Sequence, residues 1–150
     1  MCEIANVFMY LEIEGESIDF QELESSFKGL EIFQAKKGEK IIKSKRHPEI
    51  YKIREHDFWN GCWECKQKEG QELDELISAF IDKYLYDKNY ILTLHDRYDV
   101  NMYLSVYPVE NQYYMPMPKK IMSRLVDINM DIGFSVSHLQ EYYDGSYLDK

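Results

Sequence analysis

The sequence lacks any apolar run long enough to cross a membrane. A transmembrane helix needs about 18 or more consecutive apolar residues, and no stretch of the 150 residues approaches that length. The first residues, MCEIANVF, lack the positive region and apolar segment of a secretion signal. Cysteine is scarce, and Cys2, Cys62 and Cys65 do not have the spacing of a small disulfide-stapled fold. We therefore expect a cytoplasmic protein that contacts no membrane and needs no disulfide.

The short motifs of common enzymes are also missing. The four histidines form no His-x-x-x-His pair, no Gly-x-Ser-x-Gly elbow is present, and the seven glycines are dispersed. Cys62 and Cys65 form a Cys-x-x-Cys pair, but a thioredoxin-type pair begins a helix, whereas FWNGCWECK is typical of a strand or of a hairpin with an Asn-Gly turn. Cysteines three apart in a strand face opposite sides, and no second pair supplies two further zinc ligands. We predict no catalytic residue, no metal and no cofactor, and a protein that is not an enzyme.

Acidic residues outnumber basic ones, and the formal net charge is −9. Such a charge argues against nucleic-acid binding and favours a basic partner or good solubility. The charge is uneven, because the segment from Lys36 to Arg46 holds six cations against the single acid Glu39, a net +5 that leaves −14 on the remainder. We interpret this segment as a solvated hairpin edge, in which lysines discourage pairing with other strands.

The most informative feature present is an internal repeat. The stretches Asn6 to Ile13 (NVFMYLEI) and Asp99 to Val106 (DVNMYLSV) share four of eight residues, and in both copies apolar residues alternate with mixed ones, as in a strand that buries one face. Each copy precedes a helix-like and then a strand-like segment. The pattern predicts an α+β fold with ferredoxin-like, pseudo-duplicated βαβ halves that share one mostly antiparallel sheet with helices on one face. We expect a single domain over residues 1–150, with the repeated halves at about 3–36 and 98–138 and a tail at 139–150.

Start and stop signals place three helices. Asp19 can cap a first helix at about 20–28, apolar residues recur at helical spacing over a second at about 71–86, and Pro118 suits the first turn of a third. The stretch YILTLH, residues 90–95, fits a helix or a strand, and this choice stays open. Strands are expected at about 31–36, 40–45, 50–55, 58–66 and 131–137.

Tryptophan, tyrosine and nearby acids supply candidate contacts for a protein partner. Aromatic side chains bury a large area at low entropic cost, and carboxylates beside them steer a basic partner. Core packing stays open as the alternative for Trp63 and for the tyrosine pairs. The candidate partner-binding residues are Trp59, Trp63, Tyr113, Tyr114, Glu141, Tyr142, Tyr143 and Asp144.

Taken in order, three blocks of the sequence resemble one protein family. They are the opening strand and capped helix (FMYLEIEGESIDFQELESSF), the central Gly61-Cys62-Trp63 ahead of ELDELISAFIDKY, and the closing strand, helix and strand (VNMYLSVY, then KKIMSRLVDINMDIGFSV). Together they resemble the bacterial family catalogued as domain of unknown function 4279. The resemblance implies a small bacterial cytosolic α+β domain without an established catalytic site. Similar small acidic bacterial proteins include immunity proteins that bind and block a cognate toxin.

These observations favour a non-catalytic immunity protein that neutralises a cognate basic toxin by covering its active site. The first alternative is a small-ligand-binding or enzymatic domain, with Trp59, Trp63 and the histidines lining a pocket. The second is a structural homodimer, in which a sheet edge or a tyrosine-rich face pairs with itself. The three hypotheses differ in what they require, namely a basic protein, a deep aromatic cavity or a self-complementary surface.

Overall fold

The computed structural model describes residues 3–137, which are built around a five-stranded sheet. In sheet order the strands are β2 (Glu31–Ala35), β5 (Asp57–Lys68), β1 (Glu3–Gly15), β6 (Asp99–Pro108) and β7 (Asp131–Val136). Neighbouring strands run antiparallel, except that β6 and β7 are parallel. A separate two-stranded hairpin consists of β3 (Lys40–Ile42) and β4 (Tyr51–Ile53). The expected α+β class with a mostly antiparallel sheet is confirmed.

The helices are α1 (Phe20–Ser26), α2 (Leu73–Tyr84), α3 (Lys88–Arg97) and α4 (Lys119–Asp127). Asp19 caps α1 as expected, since its Oδ1 accepts a hydrogen bond from the backbone N–H of Glu22 at 3.1 Å. Pro118 directly precedes α4, and Asn129, with φ 54°, follows its end. Within residues 3–137, no helix has the length and apolar character that a membrane crossing requires.

The stretch at residues 90–95, for which the sequence allowed two states, belongs to α3. Asp87 caps this helix, because its Oδ1 accepts a hydrogen bond from the backbone N–H of Tyr90 at 3.1 Å. Ile91 and Leu94 are both buried. Residues three apart share one face of a helix but lie on opposite faces of a strand, so the common burial of these two residues agrees with the helix.

The two copies of the repeat pair with each other at the centre of the core. Every second residue of β1 from Ala5 to Ile13 is buried, and so are the residues of β6 that lie opposite them. The buried pairs are Val7–Val106, Met9–Leu104, Leu11–Met102 and Ile13–Val100. Apolar side chains of the helices complete the core over this face. The alternation read from both copies therefore produces one continuous buried surface.

The two βαβ units nevertheless have different topologies. In the first unit, β5 lies between β1 and β2 and is antiparallel to both. In the second unit, β6 and β7 are direct parallel neighbours. The order β2, β5, β1, β6 is that of a split βαβ arrangement. A duplication of two equivalent ferredoxin-like halves is not confirmed, because the same order of elements along the chain leads to two different strand arrangements.

The Asn-Gly dipeptide at residues 60–61 does not form a turn. Strand β5 continues through it for 12 residues and pairs with β1 and β2 on its two sides. The hairpin alternative is therefore wrong, and the strand alternative is right. Gly61 is required for close packing instead, because a Cβ atom there would lie 2.7 Å from Leu30 Cδ1 and 2.7 Å from the ring of Trp59.

The segment from Lys36 to Arg54 connects the end of β2 to the start of β5, and we call it the basic arm. It contains the β3–β4 hairpin, in which Lys40 pairs with Ile53. The hairpin expected from the lysine-rich sequence is present, with shorter strands than predicted. The base of the arm is held where the backbone N–H of Lys37 donates to Asp57 Oδ1 at 2.8 Å.

Candidate partner-binding face

The main sheet has one face covered by the helices and a second face, which we call the outer face. Along β1, the outer face receives the even-numbered residues from Asn6 to Glu14, which alternate with the buried ones. Residues directly opposite each other on neighbouring strands point to the same side. The strand pairing therefore identifies the outer-face residues of the other four strands. Its aromatic residues are Phe8, Tyr10, Phe33, Phe58, Tyr103 and Tyr107, and its acidic residues are Glu12, Glu14, Glu31, Glu64, Asp99 and Asp131.

Phe8, Tyr10, Tyr103 and Tyr107 form an aromatic strip across the middle of the outer face. Tyr10 lies directly opposite Tyr103, with 6.3 Å between ring centroids. Phe8 meets Tyr107 edge to face at 5.6 Å, a geometry that aromatic rings favour. All four side chains are half-buried. The strip is therefore supported by its own ring contacts while part of each ring remains at the surface.

Cys62 lies beside the strip, opposite Tyr10. Burial raises the pKa of Tyr10 above its ordinary value, and the neighbouring Cys62 thiol adds to the increase. Burial likewise raises the pKa of Cys62 to about 11 and that of Cys65 to about 11. Cys65 lies opposite Val7 on the covered face, so the two cysteines face opposite sides as expected. Because the thiolate is the nucleophile and the metal ligand, both thiols are in their unreactive form at neutral pH.

Glu12, Glu14, Asp99 and Asp131 gather at one end of the outer face, which we call the acidic end. Glu14 lies opposite Asp99, and Asn101 lies between Glu12 and Asp131 in the register. Asn101 Nδ2 donates a hydrogen bond to Glu12 Oε2 at 3.4 Å. In the described part of the chain, none of the four carboxylates forms a salt bridge with Lys or Arg. The acidic end thus concentrates four carboxylates, while Arg54 lies one strand away over the ring of Phe58, which is opposite Glu14.

A polar hollow of about 470 Å³ adjoins the acidic end. Its walls include His95, Tyr98, Asn129, Asp99 and Asp131. His95 Nε2 is buried and has no hydrogen-bond partner among residues 3–137. Across those same residues, no group of three or more His, Cys, Asp or Glu side chains could hold a metal ion. The lining offers carboxylate and amide oxygens, which suit a cationic side chain.

One family has a sequence profile that matches residues 5–139, nearly the whole chain. Its description is "Domain of unknown function (DUF4279)". The chain belongs to this family. No curated protein and no solved structure matched the chain. The expected relationship to this family is therefore confirmed.

Two of the residues predicted as partner contacts lie on the covered face. Trp59 has 0% of its surface exposed and packs against Phe27, with 5.5 Å between ring centroids. A side chain without exposed surface cannot contact a partner, so we exclude Trp59 from the binding face. Trp63 is half-buried and stacks on Phe80 of α2 at 6.0 Å, which favours the core-packing alternative. Both side chains stabilise the contact between sheet and helices.

The remaining predicted contacts lie elsewhere in the DUF4279 domain. The hydroxyl of Tyr113, which is half-buried, donates to Oε1 of the buried Gln67. Tyr114 is 83% exposed and lines a smaller hollow of about 290 Å³ with Ile4 at the beginning of β1. That position is at the opposite end of the sheet from Glu14. Outside the described residues lie Glu141, Tyr142, Tyr143 and Asp144.

Sequence analysis missed the aromatic strip, although the repeat contains a signal for it. Tyr10 and Tyr103 occupy the same position in the two copies, and both stand among the mixed residues of the alternation. A residue on the non-core side of a strand that is aromatic in both copies indicates a second, partly apolar face. The antiparallel pairing of the copies then brings the two tyrosines together.

Proposed function

We propose that this DUF4279 domain is a non-catalytic bacterial immunity protein, which neutralises a cognate basic toxin by covering it with the outer face. The observation that carries the proposal is the joint presence of the aromatic strip and the acidic end on one face of the sheet. Aromatic side chains anchor protein interfaces. Carboxylates without a counter-charge accelerate association with a basic partner and weaken it for an acidic one.

The distribution of cations supports the same proposal. Lys66 lies on the outer face, but its Nζ is 3.3 Å from Glu3 Oε1, so its charge is largely compensated. The basic arm leaves the sheet at the corner formed by β2 and β5, at the same end as the acidic end, which is formed by β1, β6 and β7. Arg54 lies over Phe33 and Phe58 on the β2–β5 side of the outer face, so the unpaired carboxylates on the β1, β6 and β7 side are where a basic surface would dock.

The small-ligand alternative has less support. It required Trp59, Trp63 and the histidines to line one pocket, but Trp59 has no exposed surface and Trp63 packs on α2. Among the described residues, the hollow beside His95 is lined by no other histidine and by neither tryptophan. We therefore retain protein binding as the proposed activity.

The test uses the products of the genes that flank the gene for this domain. In a calorimetric titration at low salt, one basic product should bind, and its affinity should fall as salt is added. Tyr103→Ala should weaken the complex about tenfold or more, because it removes a central anchor. Tyr86→Ala is the matched control, since Tyr86 is 75% exposed in the loop between α2 and α3, away from the outer face.

Tyr114→Ala adds a direct comparison with the sequence-based prediction. If Tyr114→Ala weakens the complex and Tyr103→Ala does not, the partner binds the opposite end of the sheet and the outer face is not the site. If none of the flanking products binds, the proposed function is wrong.

A further inference from the structure

The basic arm concentrates positive charge in an otherwise acidic chain. Residues 36–54 contain eight Lys and Arg residues against Glu39 and Glu49, a net charge of +6, so the rest of the chain carries −15. Lys40 Nζ lies 4.3 Å from the centroid of the Tyr51 ring. In the part of the arm that lies beyond its base, Lys43, Lys45 and Lys52 form no salt bridge with any described residue. Their charge is available to another molecule.

The basic arm also exposes apolar side chains. Ile42, Ile50, Tyr51 and Ile53 are each 43–65% exposed. A two-stranded hairpin is marginally stable by itself in water, and exposed apolar groups rimmed by charge are typical of an interaction surface. The arm is nonetheless anchored, because the Arg54 guanidinium lies 5.1 Å from the centroid of the Phe58 ring. It therefore presents a defined surface that is both cationic and apolar.

This surface and the outer face have complementary properties. The arm offers cations and aliphatic side chains, whereas the outer face offers the aromatic strip and the acids of the acidic end, which form no salt bridge with a described Lys or Arg. Within residues 3–137 the chain makes only part of this match internally. Arg54 lies over the outer-face rings of Phe33 and Phe58, but no salt bridge joins the β3–β4 hairpin to the acidic end. A second copy of the chain supplies both surfaces at once.

We propose that the basic arm of one copy lies on the outer face of a second copy. With a two-fold axis, each arm engages the other copy's face, so the contact is made twice and the assembly closes as a dimer. The dimer uses the same face as the proposed toxin complex, and a toxin would therefore compete with the arm. The inference itself does not depend on the toxin, because its test requires only this chain.

Charge reversal with complementation is the test, using the full chain and sedimentation equilibrium. At low salt the protein should be a dimer, and the dimer should dissociate as salt screens the contact. Lys43→Glu/Lys45→Glu and Glu14→Lys/Asp99→Lys should each weaken self-association about tenfold or more, because each places like charges in contact. Mixed together, the two variants should form a heterodimer, because both of its arm-to-face contacts again join opposite charges.

Lys119→Glu/Lys120→Glu is the matched control for the arm variant, since it makes the same change in net charge on exposed residues of α4. This control should dimerise like the wild type. Circular dichroism checks the fold of every variant, and Glu14→Gln/Asp99→Asn replaces the face variant if that variant does not fold. A wild-type monomer at low salt, a dimer that neither reversal weakens, open-ended oligomers, or variants that do not complement each other would overturn the proposal.

Discussion

In β1 and β6, alternate residues face the helices and the outer side of the sheet, and the two faces differ in composition. On the covered face, Met9 and Leu11 have no exposed surface, and every position is apolar because it must exclude water. On the outer face, aromatic rings and carboxylates occupy seven of the ten paired positions, and Asn6, Asn101 and Ser105 occupy the others. The repeat therefore specifies two surfaces, one that holds the domain together and one that the helices leave uncovered.

Substitutions at adjacent positions of β1, one on each face, test this difference through the free energy of unfolding. Leu11→Ala should lower the free energy of unfolding by about 2–5 kcal/mol, because it leaves a cavity in the buried face. Tyr10→Thr should cost about 1 kcal/mol or less, because it removes a cross-strand ring contact from a half-buried position. Urea unfolding followed by circular dichroism measures both. Equal losses would mean that the outer face is a second core.

The two cysteines provide a case in which both faces should behave alike. Cys62 lies on the outer face and Cys65 on the covered face, yet burial raises the pKa of both to about 11. An ordinary thiol with a pKa of about 8.5 is roughly one-quarter thiolate at pH 8, whereas one with a pKa near 11 is roughly 0.1% thiolate. In a Cys2→Ser background, alkylation of the native protein at pH 8 should therefore be roughly 200-fold slower than alkylation in urea.

The same shifts fix the sign of the pH dependence of stability. Between about pH 8.5 and 11, the folded thiols hold their protons while the unfolded ones lose them, so the free energy of unfolding should fall as the pH rises through this window. The contribution of the thiols is fully present below about pH 8. Rapid stoichiometric labelling at pH 8, or thiol-dependent stability that rises between pH 9 and 11, would contradict the assignment.

Two glycines test the same difference in packing, because one lies on each face of the sheet. Gly61 lies opposite Leu11 on the covered face, and Gly133 lies opposite Tyr103 on the outer face. Gly61→Ala should destabilise the domain by about 1–3 kcal/mol, since the new methyl group meets Leu30 and Trp59 at 2.7 Å inside the core.

Gly133→Ala should change the free energy of unfolding by less than about 1 kcal/mol. Its nearest neighbour is Tyr103 Cδ2 at 3.0 Å, and that half-buried ring has room to move. The loss of flexibility in the unfolded chain also partly offsets the contact. Urea unfolding of both variants gives the difference, and a larger loss at Gly133 would show that the outer face is the more tightly packed one.

The elements of this fold could be predicted because local patterns dominate them. The period of the buried residues and the cap at Asp19 placed strands and helices within a few residues of the observed bounds. The position of β5 between β1 and β2 could not be predicted, since it depends on pairing between distant segments. At Gly61, the turn preference of a local dipeptide is overridden by packing against Leu30, which lies 31 positions earlier in the sequence.

The candidate binding face was harder to predict, because a cluster of aromatic residues along the sequence does not indicate which face of the sheet each one occupies. Trp59 and Trp63 are four residues apart, so both point to the covered face of β5, while the adjacent Phe58 points to the outer face. The acidic end combines Glu14 with Asp99, which are 85 positions apart and meet only through the pairing of β1 with β6. The alternation of residues along each strand could have identified the aromatic strip. The acidic end could not be identified without knowing which residues of β1 and β6 lie opposite each other.

The smallest expected effect concerns the acidic end. Asp99→Asn should raise the free energy of unfolding by a few tenths of a kcal/mol at low salt, because Asp99 lies directly opposite Glu14 and like charges across a strand pair repel. The gain should shrink as salt is added. Asp82→Asn is the matched control on α2, where Asp82 accepts a hydrogen bond from Arg124, and it should cost up to about 0.5 kcal/mol instead.

Asp99→Asn should also weaken any complex formed by the outer face, so the same substitution should raise stability and lower affinity. The changes in stability and in affinity should have opposite signs, because like charges that repel within the folded domain can still attract a basic partner. Thermal or urea unfolding at two salt concentrations, together with the sedimentation experiment, measures both quantities on one protein. If Asp99→Asn instead lowers stability as Asp82→Asn does, Asp99 interacts favourably with another group of the domain. The acidic end would then have less negative charge available for a partner than we propose.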